Sequence, residues 1–321
     1  MNAPYYNVSN KTSEYFIWYF ILVMVFAIPV LSFVYITLIH YMPFVYLNFV
    51  FTIGCGALLG RVVNHAVDFG KARRPVAVLV LTFIALCILK HNQWCVYVPM
   101  VVADVYGFPM TLGRRIAGMT HYFARPGELA EAVRVINRYG AWGFTKSARV
   151  TGVFLHFIWI AEFVLMTAAA TITSWGAPLR PFSEKADDWY SERKDKIESD
   201  MPADFAGFKY NMENGRFDEL LRLTAAGKTD KTKSMRITLY QPPRDIAEEP
   251  YYLTIEQVAQ NKGKAKAKVL AEYIRIDAVQ AKELTNKDRA PAPDTEEPTQ
   301  ETLELTPEPA DLTPEPAPAL N

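Results

Sequence analysis

The sequence predicts an α-helical polytopic membrane protein with four transmembrane helices, a C-terminal soluble α+β domain and a disordered tail. Three observations support this prediction. Four long apolar runs occupy the first half of the chain, a charged half without cysteine follows, and residues 290–321 hold eight acids and no base. A soluble domain can bury one fully apolar helix, but it cannot cover four of them within about 160 residues.

The apolar runs are each about as long as the roughly 20 residues that a helix needs to cross a bilayer. We place the transmembrane domain at 16–174, with spans at Phe16–Ile39, Pro43–Val63, Val76–Val98 and Val150–Thr173. The first span has no charged side chain and is too long for an ordinary signal peptide. We therefore predict that it is a membrane anchor preceded by an N-terminal segment, 1–15.

Basic residues between the second and third spans predict the orientation of the protein. Arg61, Lys71, Arg73 and Arg74 lie in this short connection, and lysine and arginine are enriched in cytoplasmic loops. We therefore expect a multi-pass protein of the cell membrane with both termini in the cytoplasm.

The connection 99–149 conflicts with this orientation, because it lies outside and carries seven basic residues, Arg114, Arg115, Arg125, Arg134, Arg138, Lys146 and Arg149. A fifth crossing at Cys95–Leu112 would relieve the conflict, but it would place Asp104 in the membrane at a cost of about 3 kcal/mol. Inversion of the whole protein would instead place the basic residues between the second and third spans outside. We favour four spans with both ends inside.

A helix is predicted within this connection, because Pro126 and Gly127 begin a segment with apolar residues at helical spacing and Gly140 ends it. Such a helix can lie along the membrane surface or pack on the ends of the spans. We expect packing.

Two intramembrane features stand out in the spans. Gly56 and Gly60 form a small-xxx-small pair that lets helices approach closely, and we expect the contact to be internal to the bundle. Glu162 lies near the middle of the fourth span, and Lys90 or His91 of the third span can reach it from a neighbouring helix. We expect a structural pair that fixes helix register; a proton or ion relay is the alternative.

Cysteine chemistry is not expected. Cys55, Cys87 and Cys95 all lie in or beside predicted spans, where cysteine is commonly a small core residue. We predict no metal site, no catalytic residues and no cofactor.

Several short phrases carry a resemblance that spans roughly residues 15–285. They are Pro181-Phe182-Ser183 with Ala186 and Trp189, Pro43 to Phe49, Trp159 to Glu162, Tyr252-Leu253-Thr254 and Lys262-Gly263-Lys264. In these the chain resembles uncharacterised bacterial four-span membrane proteins whose cytosolic part begins with a Pro-aromatic-Cys-x-x-Cys-x-x-Trp segment. The resemblance implies a bacterial inner-membrane topology with a cytoplasmic soluble domain, and it implies no activity.

The chain departs from this pattern where those proteins carry the paired cysteines, because Ser183 and Ala186 stand there. A zinc knuckle needs thiolates or imidazoles at close spacing. Serine and alanine supply neither, so we expect no metal at this segment.

The soluble domain, 178–289, is predicted to mix helices and strands. A helix is expected at Phe217–Leu223, ending near Gly227, and strands at Met235–Tyr240, Tyr251–Val258 and Ala265–Ile276, with a helix over Ala265–Lys282 as the competing interpretation. Three alternating lysines, Lys264, Lys266 and Lys268, would share one exposed face and protect a strand edge. The tail, 290–321, is predicted to be disordered.

These features predict a non-enzymatic adaptor, sensor or scaffold. We expect the lipid bilayer and a cytosolic protein as partners and no nucleic acid. The alternative is a small transport or membrane-enzyme component that uses Glu162 with Lys90 or His91.

Overall fold

The computed structural model describes residues 4–42, 45–140, 143–145, 148–227, 233–244, 249–261 and 264–286. The predicted disordered tail, 290–321, lies outside these residues, as do Lys262 and Gly263. The described chain forms a helical bundle followed by an α+β region, which confirms the coarse fold prediction.

Four helices are long and apolar enough to cross a membrane: α1 (Tyr15–Tyr41), α2 (Val45–Phe69), α3 (Pro75–Tyr106) and α6 (Gly152–Ser174). Within the most apolar window of each helix, only 17–33% of the residues are buried inside the protein. Most of their side chains are therefore exposed or only partly buried, as is typical of helices that pack against lipid on one side. The four helices are compatible with a multi-pass membrane protein.

Two helices extend beyond the predicted span ends. The α2 helix continues past Val63 to Phe69, and Arg61, which we counted with the connection, lies inside the helix. The α3 helix continues through Pro99 and ends at Gly107, whose left-handed φ of 69° stops it. Because Cys95 to Tyr106 belong to this one helix, the five-span alternative is wrong.

The bundle is held together by close contacts of α2 with α6 and α1, and of α1 with α3. Its core contains mainly aliphatic and small side chains, with Phe16, Leu59, Leu86, Leu89 and Met166 among those almost completely buried. Small residues on α2 let α6 lie against it, so α2 and α6 are the most closely packed pair of long helices.

The connection between α3 and α6 folds into α4 (Leu112–Ala124), α5 (Pro126–Tyr139) and a short hairpin of β1 (Gly143–Thr145) and β2 (Ala148–Arg149). The α5 helix confirms the predicted one. Its buried side chains Leu129 and Ile136 join a cluster with Cys95 and Val98 of α3, so α5 packs on the spans as expected. The α4 helix was not predicted.

The α+β region begins after a short 3₁₀ turn at Ala177–Leu179. A small hairpin pairs β3 (Phe182–Ser183) with β4 (Asp188–Trp189). A larger antiparallel sheet follows, formed by β5 (Ser191–Glu192), β6 (Ile197–Asp200), β7 (Lys233–Gln241), β8 (Tyr251–Asn261) and β9 (Lys264–Ile276). Both β5 and β6 pair with the same side of β7, and β8 and β9 follow in order on the other side.

Three helices accompany the large sheet: α7 (Phe205–Glu213), α8 (Asp218–Ala226) and α9 (Ala278–Thr285). Their core is apolar and includes Phe208, Leu220, Met235, Ile255 and Ile274. The predicted helix and the three predicted strands are confirmed as α8, β7, β8 and β9. The competing helix over Ala265–Lys282 is wrong up to Ile276, because these residues pair with β8. The α9 helix begins two residues later, at Ala278, with a capping box formed by Asp277 and Gln280.

The N-terminal segment is not a separate unit. The backbone N–H of Tyr6 donates to the carbonyl of Tyr273, and that of Arg275 donates to the carbonyl of Pro4. Residues 4–6 therefore extend the sheet at the outer edge of β9. This pairing places the N-terminus and the α+β region on the same side of the bundle.

Candidate functional site

An ion pair lies between α3 and α6 inside the helical bundle. The Nζ atom of Lys90 lies 3.4 Å from Oε2 of Glu162, and the two side chains are only 18% and 15% exposed. The structure therefore brings together two of the three charged or titratable residues that the sequence singled out. The ammonium group of Lys90 also lies 5.9 Å from the ring centroid of Trp94, which stacks edge-on against Trp159.

Further polar side chains lie on α1, α2 and α3. The hydroxyl of Tyr35 on α1 is hydrogen-bonded to that of Thr52 on α2 at 3.0 Å, and Tyr97 lies two turns after Lys90 on α3. The sequence did not single out these three residues, because tyrosine and threonine do not interrupt an apolar run. We call Lys90, Glu162, Tyr35, Thr52 and Tyr97 the polar cluster of the bundle.

Buried amides add hydrogen-bonding capacity to the bundle. The side-chain oxygens of Asn48, Asn92 and Gln93 are buried and have no hydrogen-bond partner among the described residues. The amide nitrogen of Gln93 contacts sulfur atoms at 3.7 Å in Cys55 and 3.8 Å in Met166. Unpaired buried acceptors are costly in an apolar medium, so these three oxygens reduce the stability of the bundle.

His91 does not join the polar cluster in this structure. Its Nε2 lies 3.7 Å from Sγ of Cys95, one turn further along α3, and its ring lies 5.5 Å from that of Phe123 on α4. His91 therefore faces the connection between α3 and α6, whereas Lys90 faces Glu162. Neighbouring positions on a helix differ by about 100° in direction, so one helix can present the two side chains to different partners.

Gly56 and Gly60 lie where α2 meets α6. A Cβ atom on Gly56 would overlap the backbone carbonyl of Met166, and one on Gly60 would lie 2.7 Å from the carbonyl oxygen of Ala170. The small-xxx-small pair therefore allows a close contact inside the bundle. Cys55 and Cys95 are buried and Cys87 is exposed, and within the described residues no group of His, Cys, Asp and Glu is arranged to hold a metal.

A second site, which we call the junction, joins the bundle to the α+β region. Its centre is Arg73 in the α2–α3 connection, which is 6% exposed and stacks on Phe182 with 3.9 Å between guanidinium carbon and ring centroid. Nε of Arg73 lies 3.5 Å from Glu184, which also pairs with Lys11 at 3.5 Å. The backbone N–H of Arg73 donates to the carbonyl of Lys11. Three distant chain segments thus meet at one arginine.

Further contacts extend the junction along the end of α2. Asp68 forms an ion pair with Arg180, whose guanidinium lies 4.7 Å from the ring centroid of Trp189. The indole N–H of Trp189 donates to the carbonyl of Asp68 at 3.1 Å. Lys71 and Asp187 form another ion pair at 2.6 Å. Charge, stacking and hydrogen bonds therefore fix the β3–β4 hairpin to α2.

The two positions that depart from the Cys-x-x-Cys pattern belong to this hairpin. Oγ of Ser183 accepts the backbone N–H of Ala186 at 2.8 Å and donates to Oε1 of Glu249 at 2.5 Å. Both residues are buried. The serine hydroxyl thus closes the turn by hydrogen bonding to Ala186 and Glu249, and the methyl group of Ala186 stands where a metal-binding segment would need its second thiolate.

Tyrosine rings fill the space between the N-terminal strand and the sheet. Tyr6 contacts Tyr252 and Tyr273 edge-on, with ring centroids 5.3 and 6.4 Å apart. Burial, with Tyr252 and Glu184 nearby, raises the pKa of Tyr6 to about 12. The pKa of Tyr190 is also raised by burial and by Glu249. The neutral phenol is therefore the stable form in this packing.

Comparisons with known proteins do not assign the chain to a family. No protein-family model, no curated protein and no solved structure matches the chain.

Proposed function

We propose that this protein is a non-enzymatic membrane protein of the adaptor, sensor or scaffold type, which presents its α+β domain to a cytosolic protein partner. In this proposal it is a multi-pass protein of the cell membrane with both termini in the cytoplasm, as the resemblance to bacterial four-span proteins implies. The bilayer is its first partner, and nucleic acid has no part in the proposal.

The junction is the observation that carries this function. A domain that only needed a membrane tether could follow its last span through a flexible linker. Here the domain is held by α2, by the α2–α3 connection and by the N-terminal strand, through Asp68, Arg73 and Tyr6. A fixed domain loses less conformational freedom on binding, which favours affinity for a partner that approaches along the membrane.

In this proposal the partner protein binds to the outer part of the β8–β9 hairpin. Lys266, Lys268 and Val269 are exposed on β9, while the N-terminal strand covers β9 only near Tyr273–Arg275. The side chain of Lys264 lies outside the described ones. An exposed lysine-bearing edge both discourages uncontrolled strand pairing and favours an acidic partner surface.

Site-specific cross-linking in the native membrane tests the proposal on the full chain. A photoreactive amino acid at Val269 is expected to give one discrete protein adduct, whereas the same group at Val25, an exposed position of α1, gives none. Arg73→Ala should lower the yield from Val269, because the domain is then no longer held in one orientation. Absence of any adduct from Val269 would contradict an adaptor role.

A specific observation supports a second candidate, a small transport or membrane-enzyme component. The Lys90–Glu162 pair at 3.4 Å lies inside the helical bundle, and intramembrane ion pairs often mark proton or ion paths. Proton flux into liposomes that contain the full chain, lost in Glu162→Gln, would favour this candidate over the adaptor.

A further inference from the structure

The α4 helix carries an apolar stripe that is more than half exposed in the described protein. Leu112, Ile116 and Phe123 are 62%, 51% and 53% exposed, and none of the helix's residues is buried. At about 100° per residue these three side chains point within about 40° of one another. Contact of this stripe with water is unfavourable, because exposed apolar side chains forgo the free energy of burial.

The opposite side of α4 is polar and largely satisfied by its own neighbours. His121 lies 2.8 Å from Glu128 of α5, and Arg125 contacts both residues. These charges form a compact group at the turn between α4 and α5. A group that neutralises itself costs less in an apolar surrounding than separate charges do.

Contacts along α4 show the direction in which it runs. Near its start, Arg115 donates to the hydroxyl of Tyr41 at the end of α1. Gly118 packs against Pro99, to which a Cβ atom would come within 2.6 Å, and Phe123 reaches His91. The partners on α3 thus move backward as α4 moves forward, so α4 returns along α3 from the end opposite the domain.

The α4 helix runs back along α3 far beyond the end of the bundle, toward the middle of the helices. His91 lies 15 residues before Tyr106, the last residue of α3, which corresponds to roughly 22 Å along the helix. The whole of α3 has 32 residues, or roughly 48 Å, against about 30 Å for the hydrocarbon core of a bilayer. Even if all of the excess lay on this side, Phe123 would come within reach of the hydrocarbon.

We propose that α4 and α5 form a re-entrant helical hairpin, and that phospholipid acyl chains are the partner of the Leu112–Ile116–Phe123 stripe. The hairpin enters the leaflet opposite the α+β domain. Its stripe continues the exposed apolar surface at the end of α3, where Val105 and Tyr106 are 73% and 76% exposed. Most backbone groups at this depth are hydrogen-bonded, because both arms of the hairpin are helical.

Spin labels on the full chain in lipid bilayers test this proposal. Cysteines are placed one at a time at Ile116 and Phe123 in a Cys87→Ala background, since Cys55 and Cys95 are buried and Cys87 is exposed. Val25 of α1 serves as the lipid control and Tyr210 of α7 as the water control, both exposed. Collisions with dissolved oxygen and with a water-soluble nickel complex are then measured by electron paramagnetic resonance.

Labels at 116 and 123 are expected to match position 25, with frequent oxygen collisions and at least tenfold fewer nickel collisions than position 210. Nickel collisions at 116 and 123 equal to those at 210 would overturn the proposal, and so would protection from both reagents, which would indicate a protein partner. The inference rests on the membrane assignment, and position 25 tests that separately. Two independent sites, each more than half exposed, guard against one label disturbing the fold.

Discussion

At the scale of single residues, the Lys90–Glu162 pair shows why a buried charge pair is better explained as a register device than as a source of stability. Desolvation of two charges offsets most of their attraction, so the intact pair contributes little net free energy. Each charge alone, however, is strongly unfavourable. The pair therefore penalises any sliding of α3 against α6 that would separate Nζ from Oε2.

The first prediction compares three variants of this pair. Glu162→Gln should lower the unfolding free energy by about 1 kcal/mol, because glutamine can still accept a hydrogen bond. Glu162→Ala should cost about 3–5 kcal/mol, since alanine leaves the ammonium group of Lys90 with neither a carboxylate nor a hydrogen-bond acceptor. The double variant Lys90→Met with Glu162→Leu should recover most of this loss.

Thermal unfolding in detergent measures all three effects. If Glu162→Gln and Glu162→Ala melt like the parent protein, the pair has no structural role. Unchanged melting together with lost proton flux would favour the relay alternative, because glutamine cannot exchange a proton near neutral pH.

The second prediction concerns the close contact of α2 with α6. Gly56→Ala should destabilise the protein by about 1–3 kcal/mol, because the new methyl group meets a backbone carbonyl that cannot move independently of α6. Gly54→Ala is the matched control, since a Cβ atom there meets nothing within 4 Å. It should leave stability unchanged or raise it by up to about 1 kcal/mol through helix propensity. Equal effects of the two substitutions in the same melting assay would contradict this packing.

At the scale of elements, the sequence predicted what local pattern determines. Long apolar runs predicted α1, α2, α3 and α6, because each run alone is sufficient to form a helix in an apolar medium. Apolar alternation predicted β7 and β8, and the glycine at 140 ended α5 as expected. The helix ends were less accurate, because Pro99 interrupts the apolar run without interrupting α3, and because α2 continues to Phe69 through polar residues.

The missed elements lack such a local signal. The N-terminal strand has only three residues, and its partner on β9 is more than 260 positions away. Glycines and arginines interrupt the apolar stripe of α4. The charged residues of the candidate site were visible within apolar runs, but the choice of Lys90 over His91 depends on the rotation of α3 in the bundle. The junction arginine, Arg73, looked like an ordinary loop charge.

The third prediction uses the N-terminal strand as an element that responds to alkaline pH. The pKa of Tyr6 is about 12 in the folded protein against 10.0 ordinarily. The raised pKa means that the folded state binds the proton more tightly. Its stabilising contribution is therefore complete below pH 10 and is lost as pH rises from about 10 to about 12. The melting temperature should fall through this window.

Tyr6→Phe tests the assignment, because phenylalanine keeps the edge-on ring contacts and removes the titrating hydroxyl. The variant should lose less stability than the parent between pH 10 and pH 12. Tyr210→Phe, at an exposed position on α7, is the matched control and should follow the parent. If the Tyr6 and Tyr210 variants have the same pH profile, the N-terminal strand does not account for the alkaline transition.

At the scale of the whole molecule, contacts divide the connections of the bundle into two groups. The N-terminus, the α2–α3 connection and the α+β region meet at the junction through Lys11, Arg73 and Glu184. At the other end, Arg115 contacts Tyr41, and His40 lies 3.1 Å from Asp104. The four long helices therefore run alternately between two ends, which requires an even number of crossings in a membrane.

The fourth prediction assigns these two ends to the two sides of the membrane. Reporter fusions after residues 70 and 286 are expected to be cytoplasmic, because Lys71, Arg73 and Arg74 favour that side. Fusions after residues 41 and 130 are expected to be external. The seven basic residues of the connection 99–149 oppose this orientation, and the self-paired groups of α4 and α5 reduce their effect.

The reporter pattern separates the remaining alternatives, because each alternative changes a different set of the four results. Reversal at all four positions would show that the basic residues between α3 and α6 determine the orientation, and the junction would then be external. Opposite results at 70 and 286 would contradict the structure itself, since the α2–α3 connection and β3 are in contact through Arg73 and Phe182. The fold therefore requires the reporters at 70 and 286 to lie on one side of the membrane and those at 41 and 130 to lie on the other side. Which of the two sides is cytoplasmic depends only on the charges.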